Sequence, residues 1–485
     1  MAAIDGSINS RIICYLKSIY EGTRSGRRLA HWGLGQSGSF VTAARIQLAA
    51  GRVSVEKIAR VLVVVGIAVA LSSFAAGQGY TFNLVRVPNS NPNVPTAMNN
   101  AGQVVVNSGT ASALSVSLWN RMGGVESLEL TGTNNVGAAL DDANDVVGAG
   151  DPDGSGKVQA FLWQPGGNTT YLGTLGGVLS AASGVNTARE VVGTAFTAAG
   201  LQHAFLWTEA SGMQDLTPNL TSFGATAMGI NTAGEVVGYY YPNGASNVVG
   251  FSWTQASGLQ SFGAPGTMAF AVNDAGTIVG QELTAGGYRH AFSKTQSGGL
   301  ADLGTLGGNM STALNINNNG WIVGTSTVND AKNLLHGFLW TPSGGMQDLV
   351  ALSAIGSGSQ PYSMQVNDYG DIALTTRSQL VILVPRITAT AVGSPNPSVV
   401  GQSVTVTATL TSIAGPPPDG EALQFFLNST QVGLGTLKNG VAECVISGLK
   451  AGTHTVALVY NGDNYYLPFR YTPLQLVVNP AANKK

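Results

Sequence analysis

Three features of this 485-residue sequence predict an all-β fold in two parts. Charged residues make up only 10% of the chain, well below the roughly 25% of an ordinary soluble domain, while glycine reaches 65 residues. One short pattern, an Asn or Asp followed by a turn and a β-branched pair, recurs seven times. The C-terminal part replaces this repeat with apolar and polar residues in alternation. Many short strands joined by turns account for all three features.

The chain begins with a basic leader, for which we predict the boundaries 1–78. Nine Lys or Arg and three Asp or Glu precede position 61, so the remainder has 14 basic and 22 acidic residues and a net charge of −8. The apolar segment 61–71 lies between Arg60 and a run of small residues, which is the layout of a secretory signal peptide. An uncleaved N-terminal anchor is the alternative. The acidic remainder excludes nucleic acid as a partner, because phosphate binding needs a basic face.

The repeat occupies residues 79–385 and is built around a predicted turn. Its first residue can bond its own backbone two residues on, and a glycine three positions later supplies the left-handed conformation of a tight hairpin. Successive turns are 42–50 residues apart. The first residues of the seven turns are Asn99, Asp141, Asn186, Asn231, Asn273, Asn317 and Asn367. Calcium binding is the alternative role, but seven equivalent positions followed by the same turn favour a structural one.

Each repeat has room for four short strands. An aromatic strand follows the turn by about 21 residues, typified by HAFLW at 203–207, and a further strand resembles DLGTLGG at 302–308. Four strands in about 45 residues is the size of a propeller blade. The last repeat stops at 385 without its fourth strand, and the segment 80–85, YTFNLV, can supply it. We therefore predict a seven-bladed β-propeller closed by its N-terminal strand.

The repeats resemble the extracellular HAF repeat family, named for the tripeptide found here at 203–205 and 290–292. HAFLW, DLGTLGG and INxxGxVVG carry the resemblance, which covers residues from about 80 to 385. It implies an exported bacterial repeat protein, and that family has no established activity.

Residues 386–480 change character, and a tail of 481–485 follows. The stretch NPSVVGQSVTVTATLTS alternates as a half-buried strand does, and about seven short strands are the number expected for a sandwich. The segment resembles a bacterial immunoglobulin-like repeat domain through NPSxxGQxVTxTA and GTHTVxxxYxGDxxY. We expect an immunoglobulin-like β-sandwich that acts as a spacer or adhesive module. Cys444 is expected to be a buried thiol in it.

Catalytic motifs are missing from the sequence after the leader, where no HExxH, GxSxG or P-loop occurs. His203, His290 and His336 occupy one repeat position in three copies, so we expect each to cap local hydrogen bonds and not to converge on a metal. The loop DPDGSG at 151–156 resembles half of a calcium loop but lacks the distant Glu. The prediction is no catalytic residue, no metal and no cofactor, with acids of different repeats able to meet at the central channel.

A binding surface is expected on the loops between the second and third strands, which differ most between repeats. Exposed aromatics beside polar groups suit contacts with a sugar or a protein. The candidate residues on this face are Asp151, Asp153, Tyr239, Tyr240, Tyr241, Tyr288, Arg289, Asp330 and Lys332. Ordinary loop variation is the alternative explanation.

These observations favour an exported, non-catalytic binding or adhesion-type protein, monomeric, secreted or at the cell surface, with an extracellular glycan or protein as ligand. A propeller enzyme acting on polysaccharide and a structural envelope component are the alternatives. Two or three carboxylates at the channel mouth would favour the enzyme, and a channel lined by Gly, Ala, Ser and Val would favour the binding protein. An uncleaved segment 61–71 would hold the protein on the periplasmic side of a membrane.

Overall fold

The computed structural model describes residues 82–87, 97–110, 113–121, 123–221, 224–329, 334–376, 379–463 and 465–481. The predicted leader with its apolar segment 61–71 lies outside these residues. The described chain is all-β, with one short helix, α1 (Leu349–Leu352). None of the helices in these ranges has the length and apolar character needed to cross a membrane.

Seven small antiparallel sheets occupy residues 82–385. The first strand of the chain is β1 (Phe82–Val87). Sheet 1 contains β2 (Val104–Thr110), β3 (Ala113–Asn120) and β4 (Gly124–Ser127). Sheet 2 contains β5 (Thr133–Leu140), β6 (Val146–Asp151), β7 (Gln159–Gln164) and β8 (Asn168–Tyr171). Sheet 3 contains β9 (Gly176–Val185), β10 (Val191–Thr197), β11 (Gln202–Thr208) and β12 (Gly212–Asp215).

The remaining four sheets continue in chain order. Sheet 4 contains β13 (Ala225–Ile230), β14 (Val236–Tyr240), β15 (Val249–Thr254) and β16 (Gly258–Phe262). Sheet 5 contains β17 (Met268–Val272), β18 (Ile278–Leu283), β19 (Arg289–Lys294) and β20 (Leu300–Asp302). Sheet 6 contains β21 (Gly307–Ile316), β22 (Ile322–Val328), β23 (Leu335–Thr341) and β24 (Gly345–Asp348). Sheet 7 contains β25 (Ser363–Val366), β26 (Ile372–Thr375), β27 (Leu380–Pro385) and β1.

The N-terminal strand completes the last of these sheets. β1 runs antiparallel to β27, with Phe82 opposite Pro385 and Val87 opposite Leu380. The sequence assigned this role to residues 80–85, of which the structure describes 82–85. Sheet 7 thereby has four strands, although its own repeat provides only three.

Seven hydrophobic clusters lie between the sheets, one for each pair of neighbours. Each cluster takes its buried residues from two consecutive sheets, as Phe205 and Trp207 of sheet 3 do with Leu162 of sheet 2. The cluster that contains Trp119 of sheet 1 and Ile382 of sheet 7 joins the first sheet to the last. Burial of apolar side chains between sheets is therefore continuous along the series and also links its two ends. This arrangement is a β-propeller-like all-β fold.

A β-bulge explains the glycine that recurs at the seventh step of the repeat. In sheets 2 to 6 the first strand carries one extra residue, and the glycine of the second strand lies at this irregularity. A Cβ on Gly238 would overlap the carbonyl oxygen of Thr226, and the equivalent overlap arises at Gly148, Gly193, Gly280 and Gly324. Sheet 7 has Leu374 at this step and pairs without a bulge. The glycine therefore permits a close approach of two backbones.

The C-terminal domain is a two-sheet sandwich, as predicted. One sheet contains β28 (Thr388–Ser394), β30 (Val404–Thr411) and β33 (Val441–Ile446). The other contains β29 (Ser398–Val399), β31 (Ala422–Leu427), β32 (Thr430–Thr436), β34 (Gly452–Tyr460) and β35 (Phe469–Asn479). Alternate residues of β30 are buried in the core. Cys444 lies in that core, and burial raises the pKa of its thiol.

Candidate functional site

The recurring Asn or Asp of the turn uses its side chain in two directions. Within its own turn, one side-chain oxygen accepts a backbone N–H four residues on, as Asn231 Oδ1 does from Glu235 N at 2.9 Å. In Asp141, Asn186, Asn231 and Asn367 the same oxygen also accepts from the residue two positions on. These four turns are thus Asx turns in which the same oxygen accepts a second bond, from the residue four positions on.

In six of the seven turns, the amide nitrogen of the same side chain donates to a backbone carbonyl of the next sheet. Asn99 donates to Asp141 O at 3.1 Å, and Asn186, Asn231 and Asn273 donate at 3.0 Å to the carbonyls of the following turns. Asn317 donates to Asn367 O at 2.8 Å. Asn367 donates to Asn99 O at 3.4 Å, which joins the last turn to the first. These side chains are buried, so the bonds are shielded from water.

Asp141 is the exception, because a carboxylate has no N–H to donate. Its Oδ1 accepts from Ala143 and Asp145, but its Oδ2 is buried without a hydrogen-bond partner. In the other six turns the equivalent atom is the amide nitrogen that donates to the carbonyl of the next turn. For Asp141 that carbonyl would be the one of Asn186. Burial, with the nearby charges of Asp145 and Asp142, raises the pKa of Asp141 to about 6.

The residues that follow these seven positions line a central cavity of about 230 Å³. Its wall is formed by one short segment from each of the seven sheets, and it contains no Lys, Arg or His. The residues that directly follow the seven turn positions are all polar and line the cavity: Asn100, Asp142, Thr187, Thr232, Asp274, Asn318 and Asp368. We call these seven residues the channel ring. The sequence left open that acids of different repeats meet at a central channel, and it pointed to none of these residues.

Three carboxylates of the channel ring alternate with two amides in a hydrogen-bonded arc. Asn100 Nδ2 donates to Asp142 Oδ2 at 2.9 Å and to Asp368 Oδ2 at 3.1 Å. Asn318 Nδ2 donates to Asp274 Oδ2 at 2.9 Å and to Asp368 Oδ2 at 3.1 Å. The Oδ2 atoms of Asp142 and Asp274 therefore each lie at most 6.0 Å from that of Asp368, the sum of the two bond lengths.

Backbone amides hold the other oxygens of these carboxylates. Asp142, Asp274 and Asp368 accept at Oδ1 from the backbone nitrogens of Asn100, Thr232 and Asn318, at 2.7–3.0 Å. Burial acts to raise the pKa of Asp274, but the bonds from Thr232 and Asn318 outweigh it and lower that pKa. Asp274 therefore stays ionised at neutral pH. The arc can accept hydrogen bonds from hydroxyl or ammonium groups of a ligand.

The predicted loop face divides into packed and exposed residues. Asp151 is only 4% exposed and its Oδ2 accepts from Gly156 N at 2.6 Å, so it closes its own loop, while Asp153 is exposed. Tyr239 packs edge-on against Phe270. Tyr240 packs against Phe251, and its hydroxyl bonds Ser261 Oγ at 2.8 Å.

The other members of that face are less uniform. Tyr241 is half-buried and its backbone nitrogen donates to Gly224 O. Tyr288 is 48% exposed and stands beside the exposed Arg289 at the start of β19. Asp330 and Lys332 lie outside the described residues. Tyr288 and Arg289 are thus exposed neighbours in the chain, whereas Tyr239 and Tyr240 pack against neighbouring rings.

Each of the three repeat histidines bonds an aspartate of its own sheet. Nδ1 lies 2.7–2.8 Å from Asp Oδ2 in the pairs His203–Asp215, His290–Asp302 and His336–Asp348. The second oxygen of each Asp accepts from a backbone nitrogen two residues on. Sheets 2 and 4 lack the His, and they also lack the Asp, because Tyr171 and Ser261 occupy its position. The constant spacing of 12 residues was the signal for these pairs, which the sequence reading did not use.

Among the residues that the structure describes, no group of three or more His, Cys, Asp or Glu side chains is placed to hold a metal ion. The three histidine pairs belong to different sheets, and each pair supplies its own turn. The channel ring brings three carboxylates and two amides to one cavity, and it is therefore the candidate site.

Comparison with known proteins identifies one domain. Residues 390–479 match the family model of the bacterial Ig-like domain (group 3), which confirms the predicted immunoglobulin-like part. No curated protein matches the chain. The resemblance of the repeats to the HAF repeat family stays a prediction.

Among solved structures the chain is similar to a streptogramin B lyase, with TM-score 0.44 and 14% identity over 63% of this chain and 98% of that one. It is similar to a gluconolactonase from Xanthomonas campestris, with TM-score 0.35 and 11% identity over 62% and 88%. It is also similar to the extracellular domain of a one-component system from B. thetaiotaomicron, with TM-score 0.36 and 10% identity over 84% and 57%. At these values the likenesses say nothing about the activity of this chain.

Proposed function

We propose that this chain is an exported, non-catalytic binding protein whose residues 79–385 form a closed seven-bladed propeller, and that the channel ring binds a hydroxyl-rich ligand, a glycan. The observation that carries the proposal is the arc of three carboxylates and two amides around a cavity without basic residues. Carboxylate oxygens accept strong hydrogen bonds from hydroxyl groups, and amides both donate and accept.

Two sets of contacts support the closed ring. On the outside, β1 pairs with β27, and between the first and last sheets a hydrophobic cluster contains Trp119 and Ile382. On the inside, Asn367 reaches the carbonyl of Asn99. The match to a bacterial Ig-like domain supports an extracellular protein, in keeping with the signal-peptide pattern in the leader.

The hydrogen bonds of the arc favour binding over catalysis. Glycoside hydrolysis needs one carboxylic acid that holds a proton near neutral pH. The pKa of Asp274 is lowered, so this carboxylate does not supply that proton. Both oxygens of Asp142, Asp274 and Asp368 already accept hydrogen bonds, and their remaining lone pairs can orient the hydroxyl groups of a ligand.

The second candidate is a propeller enzyme acting on polysaccharide, and one observation favours it. The Oδ2 atoms of Asp142 and Asp368 are at most 6.0 Å apart. This upper limit is compatible with the roughly 5–5.5 Å that separate the two carboxyl groups of a retaining glycosidase. This is the cluster of carboxylates that the sequence analysis named as the mark of such an enzyme.

A glycan array with the purified full chain, followed by calorimetry on any hit, tests the proposal. Asp368→Asn removes the acceptor shared by two amides, and we expect the affinity to fall about tenfold or more, or at least about 1.4 kcal/mol. Asp153→Asn is the matched control, because it makes the same charge change on the loop face.

Each outcome has a distinct meaning. Loss of binding in Asp153→Asn with normal binding in Asp368→Asn would move the site to the loop face. Release of reducing ends from a bound polysaccharide, abolished by Asp142→Asn, would establish the enzyme instead. Absence of binding to every glycan on the array would reject the proposal.

A further inference from the structure

Among the six amide links between neighbouring turns, the one between sheets 7 and 1 is the longest. Asn367 Nδ2 lies 3.4 Å from Asn99 O and 3.5 Å from Asn100 O, whereas the other five links measure 2.8–3.1 Å. In the described part of sheet 1 the innermost position is a single bridge, Met98 with Val104, so this sheet lacks the fourth strand that the other six have. We call the junction between sheets 1 and 7 the closing seam.

One loop of the immunoglobulin-like domain packs on the apolar core of this seam. Leu467 lies against a cluster that takes Val104 and Trp119 from sheet 1 and Ile382 and Val384 from sheet 7. The cluster is formed by the two ends of the repeat series. Leu467 thus packs on the cluster that the two ends of the repeat series form together.

A second loop of the same domain contacts sheet 7 next to the seam. Ile413 packs against the core shared by sheets 6 and 7. Gly370, in the last turn of the repeat, has φ +80°, and a Cβ there would come within 2.9 Å of Ala414. Side by side with this contact, Tyr369 and Tyr465 stack with ring centroids 3.6 Å apart. Two loops of the domain therefore contact the turn that follows β25.

A buried ion pair crosses the seam beside these contacts. Arg121 of sheet 1 lies 2.7 Å from Asp371 of sheet 7, with side chains 10% and 1% exposed. The charge of Asp463, in the sandwich, acts on Asp371, and Asp463 is held by the hydroxyl of Tyr460 and two backbone amides. A buried pair across two sheets is strong only while water stays excluded. The sandwich comes close to this pair through Asp463.

We infer that the immunoglobulin-like domain is a latch on the closing seam, which holds the first and last sheets together, and not a spacer. Its two loops bring apolar contacts and an aromatic stack to the junction whose amide link is the longest of the six. The latch rests on the closed ring of the proposed function but not on a bound ligand, so a failure of glycan binding leaves it untouched.

Hydrogen exchange of the full chain, read by mass spectrometry, tests this inference. The double variant Tyr465→Ala and Leu467→Ser removes the contacts of the loop that carries both residues, and we expect exchange in β1, β27 and β2 to become about tenfold faster. Sheet 4, which shares no cluster with the seam, should keep its protection. Tyr471→Ala is the matched control, since this tyrosine packs in the sandwich core and takes no part in the seam clusters.

Three results would overturn the latch. Unchanged exchange in β1 and β27 of the double variant would show that the seam holds without the domain. An equal loss of protection in all seven sheets would indicate a general loss of stability. The same acceleration at β1 in Tyr471→Ala would mean that any damage to the sandwich has this effect. Calorimetry gives a second measure, with one unfolding transition expected for the parent chain and two for the double variant.

Discussion

Replacement of Asp141 by Asn should stabilise the protein, and by more at high pH than at low pH. Asn is the residue at this position in the other six turns, where its nitrogen donates to the next sheet. The variant would restore a bond to the carbonyl of Asn186 and remove a buried carboxyl group that is 6% exposed and has an unpartnered oxygen.

The magnitude follows from the raised pKa. Burial raises the pKa of Asp141 from 3.8 to about 6, so the folded state holds a proton that the unfolded chain has already lost. The contribution of Asp141 to the stability of the wild type therefore falls as the pH rises from 3.8 to 6 and stays level above that. At about 1.4 kcal/mol per pKa unit, the loss reaches about 3 kcal/mol. The restored hydrogen bond adds about 1 kcal/mol to the variant.

Urea unfolding at pH 4 to 8 measures this difference. The variant should be about 1 kcal/mol more stable than the wild type at pH 4 and about 4 kcal/mol more stable at pH 8. Glu129→Gln, a charge removal at an exposed position, serves as control and should give no such trend. The ion pair of Arg189 with Asp145, which lies near Asp141, is present in both the wild type and the Asp141→Asn variant. A pH-independent difference, or a less stable variant, would refute the reasoning.

Two further predictions concern the buried pair and the bulges. Arg121→Met leaves Asp371 without its partner and should cost about 3–5 kcal/mol at pH 8. Burial raises the pKa of Asp371 to about 7, so the cost should shrink at pH 5, where the carboxyl group takes up a proton, and equal costs in urea unfolding at both pH values would contradict this. Gly238→Ala should cost about 1–3 kcal/mol in the same assay, because its Cβ would overlap Thr226 O. Gly356→Ala, with open space around its Cβ, should cost little, and equal losses would show that the bulge is not the reason for the glycine.

Most of the fold was predictable because each repeat shows its turns and strands locally. The Asn of the turn, the short strands and the partner of β1 all follow from patterns within or between repeats. The seventh-step glycine was visible, but its cause was not, since the bulge opposite it shows only in the pairing of two strands. Arg189, the residue at a turn position that glycine usually holds, has φ +61° and bonds Asp145 of the preceding sheet at 2.7 Å.

The candidate site was less predictable than the fold, for a geometric reason. Asp142, Asp274 and Asp368 follow turns that are up to 226 residues apart in sequence, and only the packing of the sheets brings them around one cavity. The role of Leu467 at the seam depends likewise on where the sandwich sits, which alternation within its strands does not encode. Contacts within a repeat leave a signal at fixed spacing, whereas contacts between domains leave none.

The links between the turns have a consequence for how such a series can grow. Every Asn at this position gives its amide to the following sheet, and the carbonyl of its own turn, except that of Asn186, accepts from the preceding one. Every sheet but the one that carries Asp141 thus presents a donor on one flank, and its neighbour presents the acceptor, in a head-to-tail manner. A duplicated unit would find a ready partner on both flanks without any change in its neighbours. Gene duplication can therefore lengthen the series one unit at a time. A unit inserted directly after the one with Asp141 is the exception, because no amide would be there to bond its carbonyl.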